Sequence, residues 1–265
     1  MRAAVRRGAA GAPPRAPRAA APPHTQRRAR APAAPPAAAA EGGGVPEEYI
    51  ELAHRLADAA AEVTTKYFRQ PIAVDVKADA SPVTAADRAA EAAMRAIIRE
   101  EVPGHAVYGE EEGVDLSGDG EYVWVLDPID GTKSFITGKP VFGTLVALVR
   151  RGVPVLGLID QPITKERWVG AAGRQTTLNG APARARACAD LGDAYMYSTT
   201  PLMFEGEARE AAYGRLSRAV RIPLYGCDCY AYGLLASGHC DVVCEADLKP
   251  YDFMALVPVV EGAGG

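Results

Sequence analysis

The chain has 265 residues, 48% hydrophobic and 23% charged, a composition that suits one large globular domain or two smaller ones. Its net charge of −4 hides an asymmetry: residues 1–44 carry eight Arg and one acidic residue, Glu41, so the remainder carries −11. An acidic body argues against nucleic acid as a partner, and no apolar run is long enough for a transmembrane helix.

Residues 1–44 are almost entirely Ala, Arg, Pro and Gly, with eight prolines. Such a segment cannot bury enough apolar area to offset its ordering entropy, so disorder is expected there. Arg-rich, acid-poor composition at an N-terminus reads as an organelle transit peptide; an untranslated leader wrongly included, or a disordered tail, is the alternative.

The folded body is expected to begin near Pro46. From Glu47 to Phe68, residues such as Ile50, Ala53, Leu56, Ala60 and Val63 recur at helical spacing, until Pro71 breaks the pattern. Ile72, Val74 and Val76 alternate with Ala73 and Asp75, as in a short strand. A second helix is predicted over Ala85–Glu101, stopped by Pro103-Gly104. Strands follow at His105–Tyr108, Tyr122–Leu126, Thr144–Val149, Val153–Ile159 and Arg167–Ala171, with a hairpin signal at Arg150-Arg151-Gly152 and a turn at Leu178-Asn179-Gly180. Then come strands at Ala194–Ser198, Ile222–Gly226 and Asp241–Glu245. Helices are predicted at Glu205–Val220, Cys229–Ser237 and Tyr251–Glu261. A meander flanked by helices, then a βαβα run, predicts a layered α/β architecture. A helix running into Gly262-Ala263-Gly264-Gly265 normally leads on to more structure, so the C-terminal part is expected to be truncated.

The five cysteines, Cys188, Cys227, Cys229, Cys240 and Cys244, are too loosely spaced for a structural zinc site. They are expected to be small buried hydrophobes.

The chemistry concentrates in acidic segments. The strand Val123–Leu126 should deliver Asp127 and Asp130 into a turn built by Pro128 and Gly131. Two carboxylates three residues apart can share hard cations, and the N–H groups of Gly131 and Thr132 can face an anion. A bare acidic turn would be unremarked, but three further segments accompany it. Lys77–Asp87 contains Thr84 and Asp87, a pair that also reads as a helix N-cap. Gly109-Glu110-Glu111-Glu112-Gly113 follows a strand, and Pro250-Tyr251-Asp252 opens a helix. Glu110, Asp127 and Asp252 each border a predicted strand end, and a fold that gathers them needs cations to offset their repulsion.

In order and identity these motifs resemble the inositol monophosphatase-like superfamily of Mg2+-dependent, Li+-sensitive phosphatases, from about Glu48 to Gly265. The resemblance implies an α/β (α+β) fold, a layered αβαβα sandwich. It makes residues 45–265 a metal-dependent phosphatase domain, incomplete at its C-terminus, that binds two to three Mg2+ ions. Glu110, Asp127 and the main-chain carbonyl of Ile129 would ligate the first ion. Asp127 would bridge to a second held by Asp130 and Asp252. Asp87 would support a third through water. Thr132 with Glu110 would orient and deprotonate the attacking water, and the Gly131 and Thr132 N–H groups would hold phosphate oxygens. An all-oxygen ligand set suits Mg2+.

Within the superfamily, Lys133-Ser134-Phe135, Ile136–Thr144, Gly226–His239 and Glu245–Asp252 look most like histidinol-phosphate phosphatases of bacteria and plants. That resemblance implies hydrolysis of L-histidinol phosphate to L-histidinol and phosphate, in histidine biosynthesis. Glu245 and Asp228 would offer anions to the cationic substrate, although Asp228 could equally cap the helix after it. Lys133 would steer phosphate or neutralise the acidic loop, and His239 reads as a surface residue. The leader would then address a chloroplast or other plastid, with the mitochondrion as alternative. Relatives suggest a possible homodimer; the expected partner is a small phosphorylated substrate, with neither nucleic acid nor membrane. Two alternatives stand: inositol 1-phosphate or another small phosphomonoester as substrate, and a truncated, inactive metal-binding protein.

Overall fold

The computed structural model describes residues 44–77, 82–115, 117–118 and 120–265. The expected leader, but for Gly44, and part of the Lys77–Asp87 motif lie outside these residues. All the described residues fall in one compact unit.

Two antiparallel-packed helices cover one face of the main sheet. Helix α1 (Glu47–Tyr67) buries Ile50, Leu52, Ala53, Leu56, Ala57 and Ala60 on a single stripe, as its helical periodicity predicts. Helix α2 (Ala85–Glu101) starts at the Thr84/Asp87 capping box and buries Ala90, Met94 and Ile98. A small antiparallel pair, β1 (Val74–Val76) with β2 (Pro82–Thr84), lies between them in sequence and, among the described residues, pairs with no other strand.

The main sheet is mixed and eight-stranded. It contains β3 (Ala106–Gly109), β4 (Gly113–Asp115), β5 (Tyr122–Asp130), β6 (Gly143–Arg150), β7 (Val153–Gln161), β8 (Glu166–Ala171), β9 (Thr177–Leu178) and β10 (Ala181–Pro182). Their order is β10-β9-β8-β7-β6-β5-β3-β4. Strand β5 runs parallel to β3 and antiparallel to β6. Along β6, Val146 and Leu148 join the core under α1 and α2, while Leu145, Ala147 and Val149 join the core on the opposite face. Burial on both faces explains why these strands read as unbroken apolar runs.

The opposite face is covered by α5 (Tyr230–Ala236), α6 (Pro250–Phe253) and α7 (Leu256–Gly262). Beyond them a parallel three-stranded sheet, in the order β12 (Ile222–Tyr225), β11 (Tyr195–Ser198), β13 (Val242–Val243), carries α4 (Glu207–Ala219). The result is the layered αβαβα sandwich.

Three local expectations change. The strand through Val123–Leu126 does not end at Leu126; β5 continues to Asp130 through a bulge. Between the pairs Asp127–Leu145 and Asp130–Gly143, β5 advances three residues and β6 two. The single helix expected over Tyr251–Glu261 is two helices, α6 and α7. Pro258 has no N–H to offer the Met254 carbonyl, so the helix cannot run continuously through that turn. Finally, Cys227, Cys229 and Cys240 are buried, but Cys188 is exposed on the extended segment after β10, where no core covers it.

Candidate active site

The bulge in β5 sets the site. It turns Asp127 and Asp130 toward α6, and Asp252 on α6 meets them: one carboxylate oxygen from each lies within 4.8 Å of the other two. Each carboxylate is anchored by a backbone N–H. Ile129 N donates to Asp127 Oδ1 at 3.0 Å, Cys229 N to Asp130 Oδ2 at 2.6 Å, and Lys249 N to Asp252 Oδ2 at 2.6 Å. The capping role of Asp252 is thus present alongside its convergence with the other two.

Charge accumulates here without compensation from the three residues themselves. Burial, then the charges of Glu110, Asp130 and Asp252, pushes the Asp127 carboxyl well above the usual range. Burial followed by the Asp228 charge does the same for Asp130, and burial raises Asp252 to about 6. Buried, mutually repelling oxygen donors are the environment a hard divalent cation relieves, so the residues fit a magnesium-type ion.

Glu110 approaches from the loop after β3. Its N–H donates to Leu126 O at 3.2 Å, which ties the loop to β5. The rest of the loop is held by Glu91 of α2, which is fully buried. Glu111 N donates to Glu91 Oε2 at 2.8 Å and Glu112 N to Glu91 Oε1 at 3.0 Å, while Arg95 Nε donates to Oε1 at 2.8 Å. A methyl group at Gly109 would overlap that carboxylate and force Glu91 to shift. Glu91 was not singled out from the sequence. The available signal was a Glu91/Arg95 pair, four residues apart, beside the apolar stripe of α2.

Asp87 is fully buried. Its Oδ2 accepts from Thr84 N at 2.8 Å and Thr84 Oγ1 at 2.5 Å, so the helix-cap reading holds. Its Oδ1 is buried with no hydrogen-bond partner among the described residues. A carboxylate oxygen left over from capping is one that a water or cation can use.

Gly131 has φ 86° and opens α3 (Thr132–Ile136); a Cβ there would lie 2.8 Å from the Asp228 carboxyl carbon. Thr132 Oγ1 donates to Ile129 O at 3.3 Å. Lys133 is exposed, and its charge acts on Asp228 with that of Lys139.

Asp228 and Glu245 form a second acidic group. Asp228 accepts from Ser134 Oγ at 2.5 Å through Oδ2. It is not a side-chain cap: the residue before α5 is Cys229, and no side chain caps that helix. Burial raises the Asp228 carboxyl, opposed by the Ser134 bond. Glu245 accepts from Thr199 N at 3.1 Å, Thr199 Oγ1 at 2.5 Å and Tyr232 Oη at 3.0 Å. A cavity of about 150 Å3 is lined by Asp130, Asp252, Asp228 and Glu245 together with Thr199, Met203, Cys229, Tyr232, Leu248 and Leu256. Asp130 and Asp252 therefore share one cleft with Asp228 and Glu245, whereas Glu110, Asp127, Gly131, Thr132 and Lys133 are not among its walls.

Comparison with known proteins agrees with this architecture. The chain belongs to the inositol monophosphatase family, whose model matches residues 45–265. It is 59% identical over 220 residues to the Arabidopsis thaliana protein named bifunctional phosphatase IMPL2, chloroplastic. That match takes in 83% of this chain and 63% of that protein, so the chain spans under two thirds of that relative's length. It is 34% identical to a histidinol-phosphatase of Chlorobaculum parvum, covering 82% of this chain and 83% of that one. The structure superposes on that of an inositol monophosphatase from Zymomonas mobilis with a TM-score of 0.75 and 52% identity, over 82% of this chain and 84% of that one.

Proposed function

We propose that the protein is a Mg2+-dependent phosphomonoesterase acting on L-histidinol phosphate. The observation that carries this reading is the shared cleft, in which Asp228 and Glu245 stand beside Asp130 and Asp252. A substrate with a phosphate at one end and a cationic amine at the other has a complement in each group. The name of the Chlorobaculum relative supports the same substrate.

In this reading Glu110, Asp127 and the Ile129 carbonyl would hold one ion, Asp127, Asp130 and Asp252 would hold a second, and Asp87 would serve a third through water. Bound there, magnesium acidifies a water and offsets charge on the phosphoryl group. The protein's own residues do the rest. Thr132 and Glu110 orient the attacking water and take its proton. The Gly131 and Thr132 N–H groups hold phosphate oxygens. Asp228, set by Ser134, and Glu245, set by Thr199 and Tyr232, receive the substrate amine and imidazole.

The Zymomonas neighbour favours a second reading, in which inositol 1-phosphate or another small phosphomonoester is the better substrate. Phosphate release from histidinol phosphate, inositol 1-phosphate and phosphoadenosine phosphate, compared by kcat/KM, separates the two. The first reading fails if histidinol phosphate is not the best of the three. Both fail if none is hydrolysed with Mg2+ present, as an inactive metal-binding protein would behave.

We also propose residues 45–265 as the catalytic domain and residues 1–44 as a plastid transit peptide; the chloroplastic Arabidopsis relative supports the address. A fusion of residues 1–44 to a fluorescent protein that stays in the cytosol or enters mitochondria would reject the plastid.

A further inference from the structure

Thr144 is the one polar side chain in the Gly143–Val149 run of β6, and it is fully buried. A buried hydroxyl needs a partner. Thr144 Oγ1 donates to Pro128 O at 2.8 Å, across the bulge in β5. Pro128 and Ile129 lie between the pairs Asp127–Leu145 and Asp130–Gly143, and Thr144 is the single β6 residue opposite them. The Pro128 carbonyl is off the regular ladder, and Thr144 supplies the hydrogen bond that the ladder does not.

The other end of the same peptide unit faces Asp127. Ile129 N donates to Asp127 Oδ1 at 3.0 Å. The Pro128–Ile129 peptide is trans and planar, so its C=O and N–H point in opposite directions. Fixing the carbonyl on Thr144 therefore fixes the direction of the N–H, and with it the Asp127 oxygen that accepts it. An Asp that accepts from the N–H two residues on is common in turns; here the plane of that peptide is set from the neighbouring strand. Asp127 and Ile129 are both buried, so bulk water does not stand in for either bond. We infer that Thr144 is a positioning residue for the metal site: through the Pro128–Ile129 peptide it aims the Asp127 carboxylate at the point where Asp130 and Asp252 converge. This rests on the assignment of Asp127 as a metal ligand in the proposed function. Without the hydroxyl the peptide plane is free to rotate, and Asp127 loses the donor that fixes it before an ion arrives.

Calorimetric titration of the full chain with Mg2+ tests this. Thr144→Val keeps the shape and removes the hydroxyl; it should bind Mg2+ about tenfold or more weakly than the wild type, the scale on which a lost outer contact weakens a metal site. Thr144→Ser, which keeps the hydroxyl, should stay near the wild-type affinity. A threonine that merely satisfied a buried carbonyl would lower the melting temperature of Thr144→Val and leave its Mg2+ affinity unchanged. That result overturns the inference while the metal assignment stands. If the wild type binds no Mg2+, the assignment and the inference fall together. Should Thr144→Val fail to fold by circular dichroism, Thr144→Ala against Thr144→Ser isolates the same hydroxyl, and equal Mg2+ affinities in that pair reject the positioning role.

Discussion

Ser134 donates its hydroxyl to Asp228 across 2.5 Å, joining the helix that follows the β5 bulge to the loop that enters α5. The bond holds Asp228 against the burial that raises its carboxyl. Replacing Asp228 by Asn keeps the shape but removes the charge offered to a cationic substrate. Loss of a charge-assisted contact is worth about 10- to 100-fold. Asp228→Asn should lower kcat/KM for histidinol phosphate by that factor and leave a neutral phosphomonoester far less affected. Ser134→Ala should raise the Asp228 pKa, so the acid limb of the histidinol phosphate pH profile moves to higher pH. Equal losses on both substrates would reject the amine-binding role.

Asp130→Asn is expected to fold but to lose most turnover. The side-chain oxygen can still accept from Cys229 N, yet one charge of the three converging carboxylates is gone. Near-normal circular dichroism with kcat reduced by about 100-fold or more is the expected result, on the scale of losing one electrostatic element of a phosphoryl-transfer site. A rate near wild type would exclude Asp130 as a metal ligand.

Glu91 offers a different kind of test, because it touches neither the cleft nor the proposed ions. Glu91→Ala breaks a buried ion pair with Arg95 and strands the N–H groups of Glu111 and Glu112. Breaking such a pair costs about 3–5 kcal/mol. Gly109→Ala should be milder, about 1–3 kcal/mol, through overlap with the same carboxylate. Urea denaturation measures both. Glu91→Gln, which keeps an acceptor, should recover part of the loss.

Chelation should expose an inverted pH dependence of stability. Asp252 is raised to about 6 and Glu111 to about 7, in each case first by burial. A raised carboxyl stabilises the fold below its usual value and loses that contribution as pH climbs through the raised one. Melting temperature in EDTA should therefore fall between about pH 4 and pH 7. Among groups that shift the other way, His54, lowered first by burial, opposes the trend within the window, and Asp115 and Asp241 act below it. Saturating Mg2+ should flatten the trend, since ligated carboxylates stay ionised. A metal-free protein that gains stability from pH 5 to pH 7 would contradict this account.

Much of the fold was legible because its signals are local. Helix α2 spans Ala85–Glu101 as its periodicity and stop signals predict, and the Arg150-Arg151-Gly152 turn joins β6 to β7. The bulge at Asp127–Asp130 was not legible, because it depends on the register against β6. The acidic motifs could be seen in the sequence, but not what holds them. Glu91 acts on residues 20 and 21 positions away, and Ser134 on a residue 94 positions away. Neither spacing leaves a periodic trace. Pro258 is a local signal, and its missing N–H breaks the helix that the apolar spacing alone would continue.

The cleft draws on two sheets of unequal strength. Asp127 and Asp130 belong to a central strand of the eight-stranded sheet, sealed on both faces. Glu245 is held by Thr199, just past a strand of the three-stranded sheet, whose outer strand exposes Ile222 and Tyr225. On the proposed function, residues around Glu245 could be exchanged without disturbing the strand that carries Asp127 and Asp130. A lineage built on this plan could then change which alcohol it accepts while keeping one way of cutting the ester.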